Sequence, residues 1–559
     1  MSPNSPSGPD EGSPQSSAAN AANGLTARIL AENLDFQADN GNLGGRRTGA
    51  GKVFLVGAGP GEPGAITLRA IECLQFADAI LFDYLVNPAL LRWAHPTAKL
   101  ISLGKHGDAK RMLSQAQVNQ MMVSLAQEGK KVVRLKCGDP IVFARAAEET
   151  SALLQAMIPF EIVPGVTSAL AAGSYAGVAL THRDHASAVA LITGHPASGS
   201  QPDHIDWASL AKFPGTLVVY MGTTQVEYWA TELLKGGKPD STPVGIVRRC
   251  SFHDQTVVET SLGKLIQTVT TPKRIRPPVI FLVGDVATNT QQLNWFQNRP
   301  LFGQTVLVTR PVVQSDQTLR EFEHLGACTL SWPGIEINPV ANHAQLDHTI
   351  ANLRSYDWVV FSSVNGVDSF LNRMWELGLD SRDFGQCKIA TIGQKTNQSL
   401  SRFHLKSDYV PKKFDADHLA DHLVDLQSNS EHPLRILLIR ASRGRDDLAV
   451  RLSTAGAKVD QAVAYLNQDA APPSQELIAS MATGNIDWVT VTSSAIARNL
   501  VQCFGEHLRA TQLVSISPLT SQVLRDLKFE VAAEAETYTS QGIVQAICEL
   551  RKRQQTQAT

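Results

Sequence analysis

No apolar run in this 559-residue sequence approaches the roughly 18 to 20 residues that span a bilayer, so no membrane-spanning helix is expected. The 7 cysteines (Cys73, Cys137, Cys250, Cys328, Cys387, Cys503 and Cys548) are scattered, odd in number and form no C-x-x-C pair. That arrangement fits reduced thiols in a cytoplasmic protein, and neither a disulfide framework nor a structural zinc site. Neither sign of charge is in excess: Lys and Arg number 50, Asp and Glu 52, and the formal net charge is -2. A nucleic-acid or membrane-surface partner is therefore not expected, and an anionic ligand must be met by a local cluster of cations.

What is present is a globular composition, 43% hydrophobic and 18% charged, in a chain too long for one core. The first 50 residues are rich in Ser, Pro, Asn and Gly, lack a basic start and an apolar stretch, and read as a disordered tail. From Val53 onward, short apolar strands alternate with helical patterns. They read VFLV (53–56), AILF (79–82), VVRLK (132–136), VALI (189–192), LVVY (217–220), VGIV (244–247) and VIFLV (279–283). After the first of them, ITLRAIECLQFA places Ile66, Ala70, Leu74 and Ala77 on one helical face. A second start, TVLVTRP (305–311), follows a break near Pro300. Beyond it the chain repeats itself: DWVVFSSVNGVDSFL (357–371) resembles DWVTVTSSAIARNLV (487–501), and ATIGQKTNQSL (390–400) resembles VSISPLTSQVL (514–524). Each reads as strand, hydroxyl-bearing turn and helix, which two similar α/β lobes explain better than one large sheet. The expected organisation is a tail over 1–50, a domain over 51–298, a linker at 299–303, a domain over 304–552 and a tail over 553–559.

The turn after the first strand is GAGPGEPG (57–64). Glu62 stands where a G-x-G-x-x-G fingerprint requires glycine, which argues against a nicotinamide-dependent oxidoreductase. Pro60 and Pro63 delete backbone donors that a pyrophosphate would want. The loop suits a flat or cationic ligand lying close to backbone, or it is only a tight strand-to-helix turn. Asp83 follows a buried strand in LFDYLVNP, at the strand ends where open α/β sheets gather ligands. Lys105 sits in SLGKHG, and RLKCGDPIVFARAAEE carries Asp139, Arg145 and Glu148. Arg145 and Glu148 could equally be a surface pair one helical turn apart. IVPGVTSALAA opens a small-residue helix with Thr167 and Ser168, and LTHRDHA (180–186) and VVYMGTTQ (218–225) follow. Met221 could be core packing. His182 and His185 have no third ligand at metal spacing, so no metal is expected.

Taken in order, these motifs resemble uroporphyrinogen-III C-methyltransferase, of the tetrapyrrole (class III) methyltransferase family, over about residues 51–295. The resemblance implies a two-lobed fold and S-adenosylmethionine as methyl donor, surrounded by Pro60, Cys137, Gly138, Asp139, Val142, Thr167, Ser168, Met221 and Cys250. It also implies a catalytic set of Asp83 as proton acceptor, Lys105 as proton donor and Arg145. Arg145, Glu148 and Arg183 would face the tetrapyrrole. The family has Asp at Glu62, a double glycine at Cys137–Gly138, G-R-G-G-E-E at ARAAEE (144–149) and glycine at Cys250. A reduced pyrrole carbon is already nucleophilic, so methyl transfer needs alignment more than activation, and the proton lost with it calls for a positioned carboxylate. Arginine suits acetate and propionate arms because its fork binds carboxylates bidentately.

The second half has hydroxyl-bearing turns at Ser362–Ser363, Thr396, Ser493–Ser494 and Thr520, with IRASRGRDDL (439–448), VDQAVAYLNQ (459–468) and SQGIVQAI near its end. Together these resemble uroporphyrinogen-III synthase over about residues 304–552. The resemblance implies two α/β lobes on a two-stranded hinge, lobe one being 304–336 with 469–552 and lobe two 337–468, with hydroxymethylbilane held between them. Water is lost and the ring closes with its last pyrrole inverted, without a cofactor. Tyr465 would assist the departure of hydroxide, or pack the hinge. Ser363, Thr396, Ser493 and Thr520 would face the substrate; Thr396 and Thr520 could equally cap helices. Ser517 replaces the family's glycine in the last turn, and Leu519 a threonine. The expected whole is a bifunctional enzyme that makes uroporphyrinogen III and methylates it twice to precorrin-2, toward sirohaem or cobalamin, and it admits a homodimer through the methyltransferase half. The alternatives are a later corrin or an RNA ribose as methyl acceptor, or an active methyltransferase beside a degenerate docking module.

Overall fold

Four five-stranded sheets, two in each half, organise the chain. They are seen in a computed structural model that describes residues 51–104, 113–194, 205–272, 274–288, 293–412, 416–444 and 446–558. The tail expected over 1–50 and Lys105 lie outside the described residues. The first half contains strands β1 (Lys52–Gly57), β2 (Ala79–Phe82), β3 (Lys99–Ser102), β4 (Lys131–Lys136) and β5 (Phe160–Val163), then β6 (Val189–Thr193), β7 (Thr216–Tyr220), β8 (Pro243–Arg248), β9 (Thr256–Ser261) and β10 (Val279–Val283). Sheet one has the order β3-β2-β4-β1-β5 and is wholly parallel. Sheet two has the order β6-β7-β10-β8-β9, with β6–β7 parallel and its other pairs antiparallel. All seven apolar segments read from the sequence fall inside strands. The three missed ones, β3, β5 and β9, lie at sheet edges with half-exposed patterns, where no continuous apolar run is required. The first helix, Leu68–Phe76, starts where Thr67 accepts the Ala70 N–H at 3.2 Å, and it buries Ala70, Cys73 and Leu74.

The second half contains β11 (Thr305–Val308), β12 (Cys328–Ser331), β13 (Ile335–Pro339), β14 (Trp358–Phe361), β15 (Lys388–Thr391), β16 (Arg435–Ala441), β17 (Lys458–Asp469), β18 (Trp488–Val491), β19 (Gln512–Ser515) and β20 (Ala533–Glu534). Sheet three, β12-β11-β18-β19-β20, joins the two ends of this half, and sheet four, β13-β17-β16-β14-β15, holds its middle. The long β17 runs parallel to β16 over its first part. Its last part pairs antiparallel with β13, Ile335 opposite Asp469 and Pro339 opposite Tyr465, which makes the two-stranded hinge between lobes. One device recurs in three sheets. Asp78, Asp357 and Asp487 each precede a strand, and each carboxylate accepts the first N–H of the neighbouring strand, at 2.8 Å from Lys131, 2.7 Å from Arg435 and 2.7 Å from Thr305. Each aspartate thereby satisfies a strand-end donor that has no ladder partner.

The stretch 299–303, expected as a linker, is packed. Leu301 is fully buried with Val306, Phe322, Trp488 and Ile547 in the core of lobe one. The Arg299 guanidinium lies 3.7 Å from the Phe296 ring centre, reaches Glu62 Oε2 at 3.4 Å and donates to the Glu323 carbonyl at 3.1 Å. Arg92 of the first half forks onto Glu323 of the second at 2.9 and 2.7 Å, and Thr329 donates to the same carboxylate at 2.7 Å. The last helix, Ser540–Ala558, continues through the stretch that reads as a tail from 553. Its residues are good helix formers without an apolar pattern, and Gln554 donates to Gln512 at 2.8 Å.

Candidate active site

Three chain segments meet at the C-terminal edge of sheet one: the end of β1, the turn after β4 and the turn after β5. Gly59 and Gly138 exchange backbone hydrogen bonds of 3.2 and 2.7 Å. A Cβ on Gly57 would stand 2.6 Å from the Gly165 Cα, so side chains are excluded by sterics. The loop beyond is pinned from outside. Asn87 donates to the Gly61 carbonyl at 2.7 Å, the Glu62 N–H donates to Ser251 Oγ at 2.9 Å, and a Cβ on Gly61 would enter the Phe252 ring. Glu62 itself turns away to Arg299, and burial raises its carboxyl above the usual carboxylate range.

Several residues expected around the methyl donor gather here. Gly138 lies in the stitched turn, where a Cβ would be 3.5 Å from Ser168 Oγ. Asp139 accepts the Ile141 N–H at 2.8 Å and the Gly165 N–H at 3.1 Å, so its carboxylate ties two loops together. Thr167, buried at the start of the helix Ser168–Ala176, shares a 2.7 Å hydrogen bond with the Tyr220 hydroxyl, which also accepts the Ala169 N–H at 3.0 Å. Pro60 is buried in the loop, and Val142 is half-buried against the same cluster. Met221 is 49% exposed with φ of 52°, a poor fit to core packing. Burial pushes the Cys137 thiol up to about 12 and the Cys250 thiol above its ordinary range too. Phe143, Arg145, Met221, Arg249 and Ser251 all adopt left-handed backbone, a costly conformation that clusters at ligand sites.

Asp83 follows β2 at the same edge, and its carboxylate receives Arg134 Nη2 at 2.6 Å. Arg134 Nε reaches Glu149 Oε1 at 3.1 Å, and Lys136 Nζ reaches Glu149 Oε2 at 2.6 Å. Burial, with the neighbouring guanidinium, pushes the Lys136 ammonium below the usual lysine range. Arg145 and Glu148 form a forked pair at 2.8 and 2.6 Å with both side chains about half exposed. Such a pair contributes a few tenths of a kcal/mol, so the guanidinium is cheaply released to another carboxylate. Arg183 is exposed in a loop closed by the His182 N–H on the Ala186 carbonyl at 2.8 Å.

In the second half, Tyr465 is buried at the hinge and its hydroxyl lies 2.9 Å from Ser363 Oγ. Ser363 and Ser493 hold matching places in the two lobes, each capping the helix after its strand, at 3.0 Å from the Gly366 N–H and 3.2 Å from the Ile496 N–H. Thr396 and Thr520 are not caps. Gly393 and Ser517 occupy those positions, and both threonines are buried in the first turn beyond. Sequence reasoning missed Arg134, Lys136, Glu149 and Tyr220. The signal was there for the cations, since two charges inside a strand as apolar as VVRLK need buried partners.

Comparison with known proteins follows this division. The model of the family described as Tetrapyrrole (Corrin/Porphyrin) Methylases matches residues 52–266, and that of Uroporphyrinogen-III synthase HemD matches residues 316–545. The porphyrin biosynthesis protein HemD of Ruminiclostridium josui is 34% identical over 492 residues, 88% of this chain and 96% of its own length. The uroporphyrinogen-III C-methyltransferase of Bacillus subtilis is 34% identical over 352 residues, 63% of this chain and 71% of its own. Siroheme synthase 2 of Yersinia pestis is 40% identical over 283 residues, 50% of this chain and 59% of its own, so the chain spans little more than half of that enzyme. Among solved structures, Thermus thermophilus uroporphyrin-III C-methyl transferase complexed with S-adenyl homocysteine has 36% identity and a TM-score of 0.36, over 42% of this chain and 98% of its own. Among the described residues, no helix is long and apolar enough to cross a membrane.

Proposed function

Because this chain belongs to the tetrapyrrole methylases in its first half and to the uroporphyrinogen-III synthases in its second, we propose that it closes hydroxymethylbilane to uroporphyrinogen III and then methylates that ring twice to precorrin-2. The observation that carries the first activity is Asp83, an ion-paired carboxylate beside a cradle lined by backbone. S-adenosylmethionine fits that cradle in kind: the glycine-stitched loops admit close approach, and prolines stand where a phosphate would want N–H donors. When bound, it supplies an electrophilic methyl group. Gly138, Thr167, Ser168 and Met221 would hold it, with Asp139 and Tyr220 keeping the loops in place. Asp83 takes up the proton that the methylated pyrrole system must shed, and Arg145 and Arg183 hold carboxylate arms of the ring. In the second half, Tyr465 donates a hydrogen bond to the departing hydroxyl of the linear tetrapyrrole, and Ser363 orients that phenol from 2.9 Å. All 7 cysteines are free, which supports a cytoplasmic setting.

The test is to give the full chain hydroxymethylbilane and S-adenosylmethionine together and identify the product by mass and absorbance. Dimethylated type III product is expected. Uroporphyrinogen I alone would overturn the synthase assignment, and unmethylated uroporphyrinogen III would overturn the methyltransferase assignment. Arg145→Ala should raise the tetrapyrrole KM at least about tenfold, the scale of a lost charged hydrogen bond, and leave donor affinity and Tm unchanged. A KM equal to that of the parent would return Arg145 to the surface.

A further inference from the structure

The interior of sheet one carries a set of charges that the proposed chemistry does not yet use. Val132, Arg134 and Lys136 point to one face of β4, where Arg134 is flanked by Leu55 on β1 and Leu81 on β2. Arg134 is 5% exposed, Lys136 2% and Glu149 0%. Two cations and two carboxylates, counting Asp83, thus balance to zero in a place where burying each ion is costly. An apolar face would stabilise the sheet as well, so the network calls for a purpose beyond stability.

Its geometry is directional. Arg134 makes three bonds with one rigid plane: Nε to Glu149 at 3.1 Å, Nη1 to the Leu135 carbonyl at 3.2 Å and Nη2 to Asp83 at 2.6 Å. Glu149 is fixed in turn by Lys136 at 2.6 Å and by Gln115 at 3.3 Å. Only Asp83 leaves the interior, with its side chain 31% exposed at the strand edge. The chain of contacts therefore starts in the core and ends at the partly exposed carboxylate of Asp83 at the strand edge.

We propose that Arg134, clamped by Glu149, is the positioning residue that holds the Asp83 carboxylate in the orientation needed to accept the pyrrole-system proton. This rests on the reading of Asp83 as that acceptor. One carboxylate oxygen is engaged by the guanidinium, which leaves the other to receive the proton as the C–H electron pair returns to the macrocycle. Lys136 is the fourth corner: it saturates the second oxygen of Glu149, so that Glu149 cannot turn toward Asp83.

Arg134→Lys and Glu149→Gln in the full chain provide the test, beside Asp83→Asn as reference. A lysine retains the charge but cannot reach three acceptors in one plane, and glutamine retains the shape of Glu149 while losing its grip on two cations. Each should lower kcat for methyl transfer at least about tenfold, with KM for the methyl donor and for uroporphyrinogen III within about twofold of the parent. Synthase turnover should be unchanged. An Arg134→Lys enzyme with parental kcat would overturn the proposal, as would a rise in KM at constant kcat. Loss of the folded first half in both variants would also overturn it, by assigning the network to structure alone. Parental activity in Asp83→Asn would instead remove the acceptor role itself, and so separates the two failures.

Discussion

Asp83→Asn is expected to slow methyl transfer by roughly 10²- to 10⁴-fold, the usual contribution of a positioned general base. The same change should leave affinity for S-adenosylmethionine within about twofold. The asparagine oxygen can still accept Arg134 Nη2, which sits 2.6 Å from the native carboxylate, so the local geometry survives. Glu149 then remains as the one carboxylate for both Arg134 and Lys136, so the network gains one positive charge and a lower Tm for the first half should accompany the loss of rate. What disappears is the capacity to take up a proton. Single-turnover kinetics with labelled donor, alongside titration calorimetry, separate the two quantities. Equal losses in rate and affinity would mean that Asp83 serves the donor pocket and not the proton.

A larger structural effect is expected from Gly165→Ala. Gly165 does not need glycine for its backbone angles; it needs glycine for space. A methyl group there would overlap the Gly138 carbonyl oxygen and stand 2.8 Å from the Gly57 Cα. Both obstacles are backbone atoms at the ends of β1 and β4, the central strands of the sheet, so neither can yield without dragging a strand. Overpacking of this kind costs about 1–3 kcal/mol and occasionally more. It would displace Asp139, which accepts the Gly165 N–H, and so open the cradle. Donor affinity should fall more than about 100-fold, with a lower Tm for the first half and synthase turnover intact. Gly64→Ala, in the cradle loop after β1, is the control: its Cβ would meet only Glu62 Oε1 at 4.0 Å, and calorimetry should show parental affinity. A Gly165→Ala protein that binds the donor normally would show that the three segments do not form its cradle.

The parts of this architecture legible in the sequence are those where one residue pattern admits one explanation. Central strands such as VFLV and VIFLV are buried on both faces and read as unbroken apolar runs. The half-repeat in the second half was visible because two lobes must each make strand, capped turn and helix, and Ser363 and Ser493 stand at matching places in it. Edge strands such as TVVETS were not legible, since a strand paired on one side tolerates polar residues on both faces. Nor was the charge network. Arg134 and Glu149 are 15 residues apart on a strand and a helix, and only the fold brings them together. The caps at Gly393 and Ser517 show a finer limit: a threonine one turn inside each helix reads like a cap, yet one helix starts at a glycine without a side-chain cap and the other at a serine that accepts the Thr520 N–H.

Arg92, Arg299 and Glu323 bear on how the second half can move. Glu323 belongs to the lobe whose core contains Leu301, and it is fastened to Arg92 of the first half through its carboxylate and to Arg299 through its carbonyl. The antiparallel ribbon of β13 and β17 then joins a stator to a rotor. If the cleft opens to admit a linear tetrapyrrole, residues 337–468 must swing while the other lobe stays put against its neighbour. Tyr465 rides on the swinging side, with Ser363 beside it, so the pair travels as one unit toward whatever the stationary lobe holds.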